Sequence, residues 1–329
     1  MPATAGFPGL MREALCQMSA QRPLDRPRSR QRMSQSPHRV VLNLAIGHAS
    51  MDRRNMGGNA VPWMEANRIS IHFELAGEGP SVVLLHEMGG TLDSWDGICP
   101  ALSQRFRTLR YDQRGSGLSE KVRQPITTEL LVDDLEAVLQ GSALTPPYHF
   151  VTVAAATMQA LIYMTRHPER IASFVFCNPF TGADPSRVAA LEERAGLAER
   201  EGMRTAIPVT LDKSWPANIG ERGAYAEYRG RYLAHDPVCF AAMNRAIARP
   251  NVAHLAKEIA RPTMVIAGRF DQVRPPAASE QFARTIAGAR FELIDAVHMM
   301  PAQAPEALLA LLQDFLGGQA RPAARQRAS

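Results

Sequence analysis

Tyr148-His149-Phe150-Val151-Thr152-Val153-Ala154-Ala155-Ala156-Thr157-Met158-Gln159-Ala160-Leu161 is the stretch that decides the fold. Tyr148–Val153 is an aromatic and β-branched run, which reads as a strand. Ala156–Arg166 reads as a helix, stopped by His167-Pro168. The same alternation extends in both directions. Upstream lie strands at Ile69–Leu75, Ser81–Leu85 and Thr108–Tyr111, with the Gly77-Glu78-Gly79-Pro80 turn between the first two. Helices are expected over Thr91–Gln104 and Thr127–Leu139. Downstream come strands at Ser173–Cys177, Thr263–Ala267 and Arg290–Ile294, and helices at Ala277–Ile286 and from Pro305 to Phe315. Alternation of this kind predicts an α/β fold, a mostly parallel sheet covered by helices on both faces. The interruption at 181–260 is helical in composition and carries Trp215, Tyr225, Tyr228 and Tyr232. It is expected to form a cap over the strand ends, where open α/β sheets hold their ligands.

The 329 residues are 46% hydrophobic and 21% charged, the balance of a globular chain with a full core. No apolar run reaches membrane-spanning length. Cys16, Cys99, Cys177 and Cys239 are scattered with no CxxC pair, which speaks against a disulfide scaffold or a cysteine zinc site and for a reducing, cytoplasmic setting. The net charge of +5 is unevenly spread. Residues 1–60 hold nine arginines against Glu13, Asp25 and Asp52, and the tail at 318–329 adds Arg321, Arg325 and Arg327, so the 61–317 body is mildly acidic. Nucleic acid and membrane are therefore not the expected partners. The Arg-rich start is expected to be a disordered extension, or an upstream start with the true one at Met51, Met56 or Met64. Intact mass of protein from its native source tests that, and a mature mass that includes residues 1–32 would refute it. No Walker loop, no GxGxxG after a strand and no HExxH is present, so no cofactor is expected.

Leu84-Leu85-His86-Glu87-Met88-Gly89-Gly90, Arg110-Tyr111-Asp112-Gln113-Arg114-Gly115-Ser116-Gly117-Leu118-Ser119 and His167-Pro168-Glu169-Arg170, in this order and spacing, resemble the α/β-hydrolase superfamily. Val209-Thr210-Leu211-Asp212-Lys213-Ser214-Trp215 loosely resembles the 3-oxoadipate enol-lactonase branch, which also includes carboxylesterase-like members, and puts Trp215 forward as a substrate contact. The resemblance implies a Ser–acid–His set. Its acid falls on Asp271, in Ala267-Gly268-Arg269-Phe270-Asp271, and its base on His298, in Asp295-Ala296-Val297-His298-Met299. A carboxylate beside an imidazole fixes the tautomer and stabilises the imidazolium, so the two form a competent proton acceptor. A lone His298 would read as an ordinary loop histidine.

The family's nucleophile elbow, G-x-S-x-G, falls on Thr152-Val153-Ala154-Ala155-Ala156. Ala154 stands in the serine position and can form no acyl-enzyme. Both flanking glycines are gone as well, which points to a natural change rather than a single engineered one; with no nucleophile to present, the need for glycine around a strained elbow is relaxed. The implied oxyanion hole uses the backbone N–H groups of Met88 and Ala155. Glu87 replaces the family's usual glycine. It is either an acid, base or water-positioning group in an apolar pocket, or a loop glutamate turned to solvent or paired with an arginine. Asp112-Gln113-Arg114-Gly115 is expected to brace its own loop.

Two functions follow. One is an enzyme acting on a small, partly apolar carbonyl compound such as a lactone or ester. In it the Asp271–His298 dyad activates water or deprotonates the substrate, as lyases and cofactor-free oxygenases of this superfamily do. The other is a non-catalytic pseudo-hydrolase that binds a ligand in the inherited pocket.

Overall fold

The computed structural model describes residues 63–319. The expectations for 1–60 and for nearly all of the 318–329 tail lie outside that range.

Eight strands form one sheet in the order β1-β2-β4-β3-β5-β6-β7-β8. They are β1 (Trp63–Ala66), β2 (Ile69–Ala76), β3 (Ser81–Leu85), β4 (Arg107–Tyr111), β5 (Tyr148–Val153), β6 (Ile171–Cys177), β7 (Thr263–Gly268) and β8 (Arg290–Ile294). The β1–β2 and β2–β4 pairs are antiparallel, and every later pair is parallel. All residues of β3, β5 and β7 are buried, which is why these strands read as continuous apolar runs rather than alternating ones. Within β3, Val83 and Leu85 face one core and Val82 and Leu84 the other, as the two-residue strand period requires.

Seven helices of nine or more residues occur among the described residues: α1 (Thr128–Gly141), α2 (Ala156–Arg166), α3 (Pro185–Glu201), α4 (Arg222–Leu233), α5 (Pro237–Ala248), α6 (Pro276–Arg284) and α7 (Pro305–Gln319). Helix α1 starts on a Thr127 hydroxyl that accepts from Leu130 N–H, a cap worth about 1 kcal/mol, and buries Leu131, Leu135 and Val138. The core on one face includes Phe150, Tyr163, Phe174 and Phe176. The core on the other includes Trp95, Leu102, Phe106, Leu308 and Leu312.

Two expectations needed correction. The single helix over Thr91–Gln104 is instead a short 3-10 turn at Leu92–Trp95 and one helical turn at Cys99–Leu102. Pro100 sits at the start of the second piece, where its missing N–H is harmless, but it would break a continuous helix. Strand β1, at the sheet edge, was not expected at all. Its four residues are too few to show a period.

Helices α3, α4 and α5 all lie between β6 and β7. They carry their own cluster, in which Trp215, Tyr228, Tyr232 and Phe240 pack with Val297 and Met299 of the loop that bears His298.

Candidate active site

A cavity of about 340 Å³ opens where the parallel strands end. Met88, Ala154, Ala155, His298 and Met299 line it from the sheet side. Leu191, Arg194, Ser214, Tyr232 and Ile247 line it from the inserted segment.

His298 Nδ1 lies 2.7 Å from Asp271 Oδ2. Asp271 Oδ1 accepts from the backbone N–H groups of Val273 and Arg274, at 2.7 and 2.8 Å, so the carboxylate is fixed from both sides. A carboxylate accepts and cannot donate, so Nδ1 carries the proton and Nε2 keeps a free lone pair. The loop holding the imidazole is itself tied down. His298 N–H donates to Ser214 carbonyl at 3.1 Å, and Val297 N–H to Gln303 Oε1 at 2.9 Å. A side chain at Gly268 would meet the carbonyls of Ala296 and Val297 at 2.5 and 2.8 Å, so only glycine lets this loop pack against β7.

Asn178, just past β6, was missed by sequence reasoning. Its Oδ1 accepts from Gly268 N–H at 2.9 Å, and its Nδ2 donates to the carbonyls of Val297 and His298 at 3.3 and 3.2 Å. It joins the end of β7 to the histidine loop. The signal in the sequence is an asparagine directly after a strand, a residue type that tolerates the left-handed φ of 47° it adopts here.

The elbow keeps its strained shape without the flanking glycines. Ala154 keeps a left-handed backbone with φ of 50°, which costs a residue with a Cβ roughly 1–2 kcal/mol. Three backbone bonds hold it there: Ala154 N–H to Cys177 carbonyl at 2.9 Å, and Phe180 and Thr157 N–H to Ala154 carbonyl, each at 3.1 Å. Neither missing glycine was needed. Thr152 is buried, with its hydroxyl 3.2 Å from that of Thr157, and neither residue lines the cavity. Helix α2 begins at Ala156, directly after the elbow, so its N-terminal N–H groups and partial positive charge face the cavity end. The N–H groups of Met88 and Ala155 have no acceptor among the described residues.

Glu87 fits neither expectation. It is buried and is not among the cavity-lining residues. Its Oε1 accepts from Ser94 Oγ at 2.8 Å and from the Tyr228 hydroxyl at 2.6 Å. Burial, and secondarily the Glu87 charge, push the Tyr228 hydroxyl well above the ordinary tyrosine range, so Tyr228 stays a donor. A Cβ at Gly90 would lie 2.4 Å from Glu87 Oε1, so the glycine makes room for this carboxylate. Glu87 therefore fastens the loop after β3 to α4. Trp215 is also buried away from the cavity. Its Nε1 donates to Ile219 carbonyl at 2.8 Å, and its ring packs on Tyr225 and Tyr228, which makes it core rather than a substrate contact. Asp112 does brace its loop: its carboxylate accepts from Leu92 and Leu118 N–H, each at 2.8 Å, and sits 2.7 Å from His72 Nδ1.

The cavity is more cationic than a partly apolar substrate would require, since Arg187, Arg194 and Arg274 all line it. Among the described residues no group of three or more His, Cys, Asp or Glu side chains could hold a metal ion, and no helix is long and apolar enough to cross a membrane.

Residues 80–205 match a family model described as alpha/beta hydrolase fold. A protein of Caulobacter vibrioides (strain NA1000 / CB15N) named "Putative carbamate hydrolase RutD" is 28% identical over 259 residues, covering 75% of this chain and 96% of that protein. The crystal structure of the enol-lactonase from Burkholderia xenovorans LB400 superposes with a TM-score of 0.73 at 29% identity, over 78% of this chain and 100% of that one. A thermophilic esterase from Thermogutta terrifontis gives a TM-score of 0.75 at 24% identity over 80% of this chain, a likeness of fold alone. The strand order, the cavity at the strand ends, the partial family match and these relatives agree on the fold: the chain has the α/β-hydrolase fold and is similar to members of that superfamily.

Proposed function

We propose that this protein is a hydrolase-family enzyme in which the Asp271–His298 dyad acts as a general base without a covalent serine intermediate. The observation that carries the reading is the pairing of an intact 2.7 Å His298–Asp271 contact at the cavity wall with an alanine at the elbow. The base survives where the nucleophile does not.

His298 Nε2 takes a proton from a water held in the cavity, and the hydroxide so formed attacks the carbonyl carbon of a small ester, lactone or carbamate. Charge develops on the carbonyl oxygen, which the N–H groups of Met88 and Ala155 stabilise at the positive end of α2. The imidazolium then returns its proton to the leaving oxygen or nitrogen, and Asp271 stays ionised throughout. The same dyad would serve equally to remove a proton from the substrate itself. The helices inserted between β6 and β7 cover the cavity as a cap and exclude bulk water. The relatives named as a carbamate hydrolase and an enol-lactonase support a small carbonyl substrate. The missing nucleophile also favours a second reading, a binding protein with no turnover.

Turnover of a panel of small esters, lactones and carbamates, measured with and without a fluorophosphonate, tests the proposal. Turnover with no labelling and no inhibition is expected. Inhibition with covalent labelling would show that a serine nucleophile exists elsewhere, and binding without turnover across the panel would leave the binding-protein reading.

A further inference from the structure

Three arginines line this cavity, and none of them has an ion-pair partner among the described residues. Arg194 is the most enclosed. Its Nε donates to Asn244 Oδ1, and its Nη2 lies 4.0 Å from the Met88 sulfur. Burial without a nearby carboxylate pulls its guanidinium down to about 10. Two of the four acids on its own helix are used elsewhere: Glu192 and Glu199 both accept from Arg245 of α5, at 2.8 and 2.7 Å. Arg274 Nε is buried with no hydrogen-bond partner. Burial also lowers Arg187 and Arg274.

Two carboxylates lie near these cations, and both are engaged. Asp184 caps α3, accepting from Arg187 N–H at 2.9 Å and Ser186 Oγ at 2.6 Å. Asp271 is committed to His298 and to the backbone of Val273 and Arg274. Three guanidinium groups against these two carboxylates still leave the cavity with an excess of positive charge. Enclosed cations without counter-charge are costly, and a bound anion relieves that cost.

Resting on the reading of the cavity as a substrate site, we propose that its ligand carries a carboxylate. Arg194 receives it, assisted by Arg187 and Arg274, while the carbonyl to be attacked lies toward His298. One edge of the Arg194 guanidinium is already fixed by Asn244. The free edge offers two parallel N–H donors, a fork that matches a planar carboxylate.

Calorimetric binding to the whole protein tests this without any turnover. The probes are 4-oxopentanoate and hexane-2,5-dione, ketones of nearly the same shape in which a methyl ketone replaces the carboxylate. The acid should bind about tenfold to hundredfold tighter than the diketone, the range for a charge-assisted contact. Arg194→Gln should erase the difference, Arg194→Lys should retain part of it, and Arg274→Gln, on a loop, should reduce it without risk to a helix. Equal binding of the two ketones, no binding of the acid in the millimolar range, or displacement of the acid by equimolar inorganic phosphate would overturn the assignment. If the acid is preferred yet turnover survives loss of His298, only the dyad mechanism fails. If turnover needs His298 but the ketones bind alike, only the carboxylate assignment fails.

Discussion

Two buried histidine–aspartate pairs in this chain have nearly the same geometry and different surroundings. His72 and Asp112 meet at 2.7 Å through Nδ1 and Oδ2, and so do His298 and Asp271. The first pair lies between β2 and the loop after β4, with Trp63 packed on the His72 ring at 4.7 Å. A Cβ at Gly117 would lie 2.2 Å from Asp112, so the loop closes tightly on the carboxylate. Neither residue lines the cavity that His298 faces. The second pair faces the cavity, next to a strained elbow and two uncommitted N–H groups. A proton-accepting pair becomes a candidate site only where a substrate can reach it.

The largest effects should separate the two pairs by what they break. Asp271→Asn leaves the imidazole in its place but favours the wrong tautomer, so kcat should fall by about 10⁴ with little change in stability. Asp112→Asn should leave kcat per folded molecule unchanged and lower unfolding free energy by about 2–3 kcal/mol, because a buried network loses its charged acceptor. Steady-state rates beside urea unfolding curves distinguish them. The comparison fails if both variants lose activity in proportion to stability.

The preserved elbow sharpens the same contrast. The structure keeps φ of 50° at Ala154 and turns Glu87 away from the cavity. Ala154→Ser should therefore gain stoichiometric fluorophosphonate labelling, about one equivalent, lost again when His298 is also replaced. An unlabelled Ala154→Ser protein would mean that the side chain at the elbow cannot reach His298.

Smaller effects should come from Glu87. Glu87→Ala strands the hydroxyls of Ser94 and Tyr228 in the interior, and about 2–4 kcal/mol of stability should be lost. Glu87→Gln keeps an acceptor oxygen and should cost less than half as much. Neither change should move a pH–rate limb, and a limb that vanished in Glu87→Gln would return this residue to the chemistry.

The last effect is a graded one, a pH dependence of stability. Burial holds His149 and His235 down to about 4 in the folded chain, whereas the unfolded chain takes up these protons near 6.5. The unfolded state then binds more protons between those values, so stability should fall as pH drops from about 6.5 to about 4, by up to roughly 3 kcal/mol per histidine. His235 Nε2 also lies 3.0 Å from Gly89 carbonyl in the loop after β3, and protonation costs burial without adding a partner there. Urea unfolding at both ends of the window checks the loss, and His235→Gln should shrink it.

The strands that are buried on both faces were legible almost residue by residue, because a parallel sheet requires continuous apolar runs: β3 and β5 begin and end where their residue types change. Asp271 and His298 were legible because each follows a strand in the family's order. Arg194 was not. In Leu191-Glu192-Glu193-Arg194 it reads as a cation beside acids on a solvated helix face, and only the fold shows that Glu192 pairs with Arg245 instead and that Arg194 lines the cavity. Trp215 and Glu87 misled for a related reason. An aromatic in a cap and an acid beside an oxyanion loop look chemical in sequence, yet both turn into the same packed cluster around Tyr228.

The central claim is that His298 is the working base in a site with no nucleophile. Pre-steady-state rates of wild type and His298→Ala, compared on whichever small ester, lactone or carbamate the protein turns over, test it most directly. The account predicts no burst in the wild type and a loss of about 10²–10⁴ in the variant, the range for removing a general base, with an unchanged unfolding curve. A near-normal rate in His298→Ala, or a burst of one product equivalent in the wild type, would contradict it.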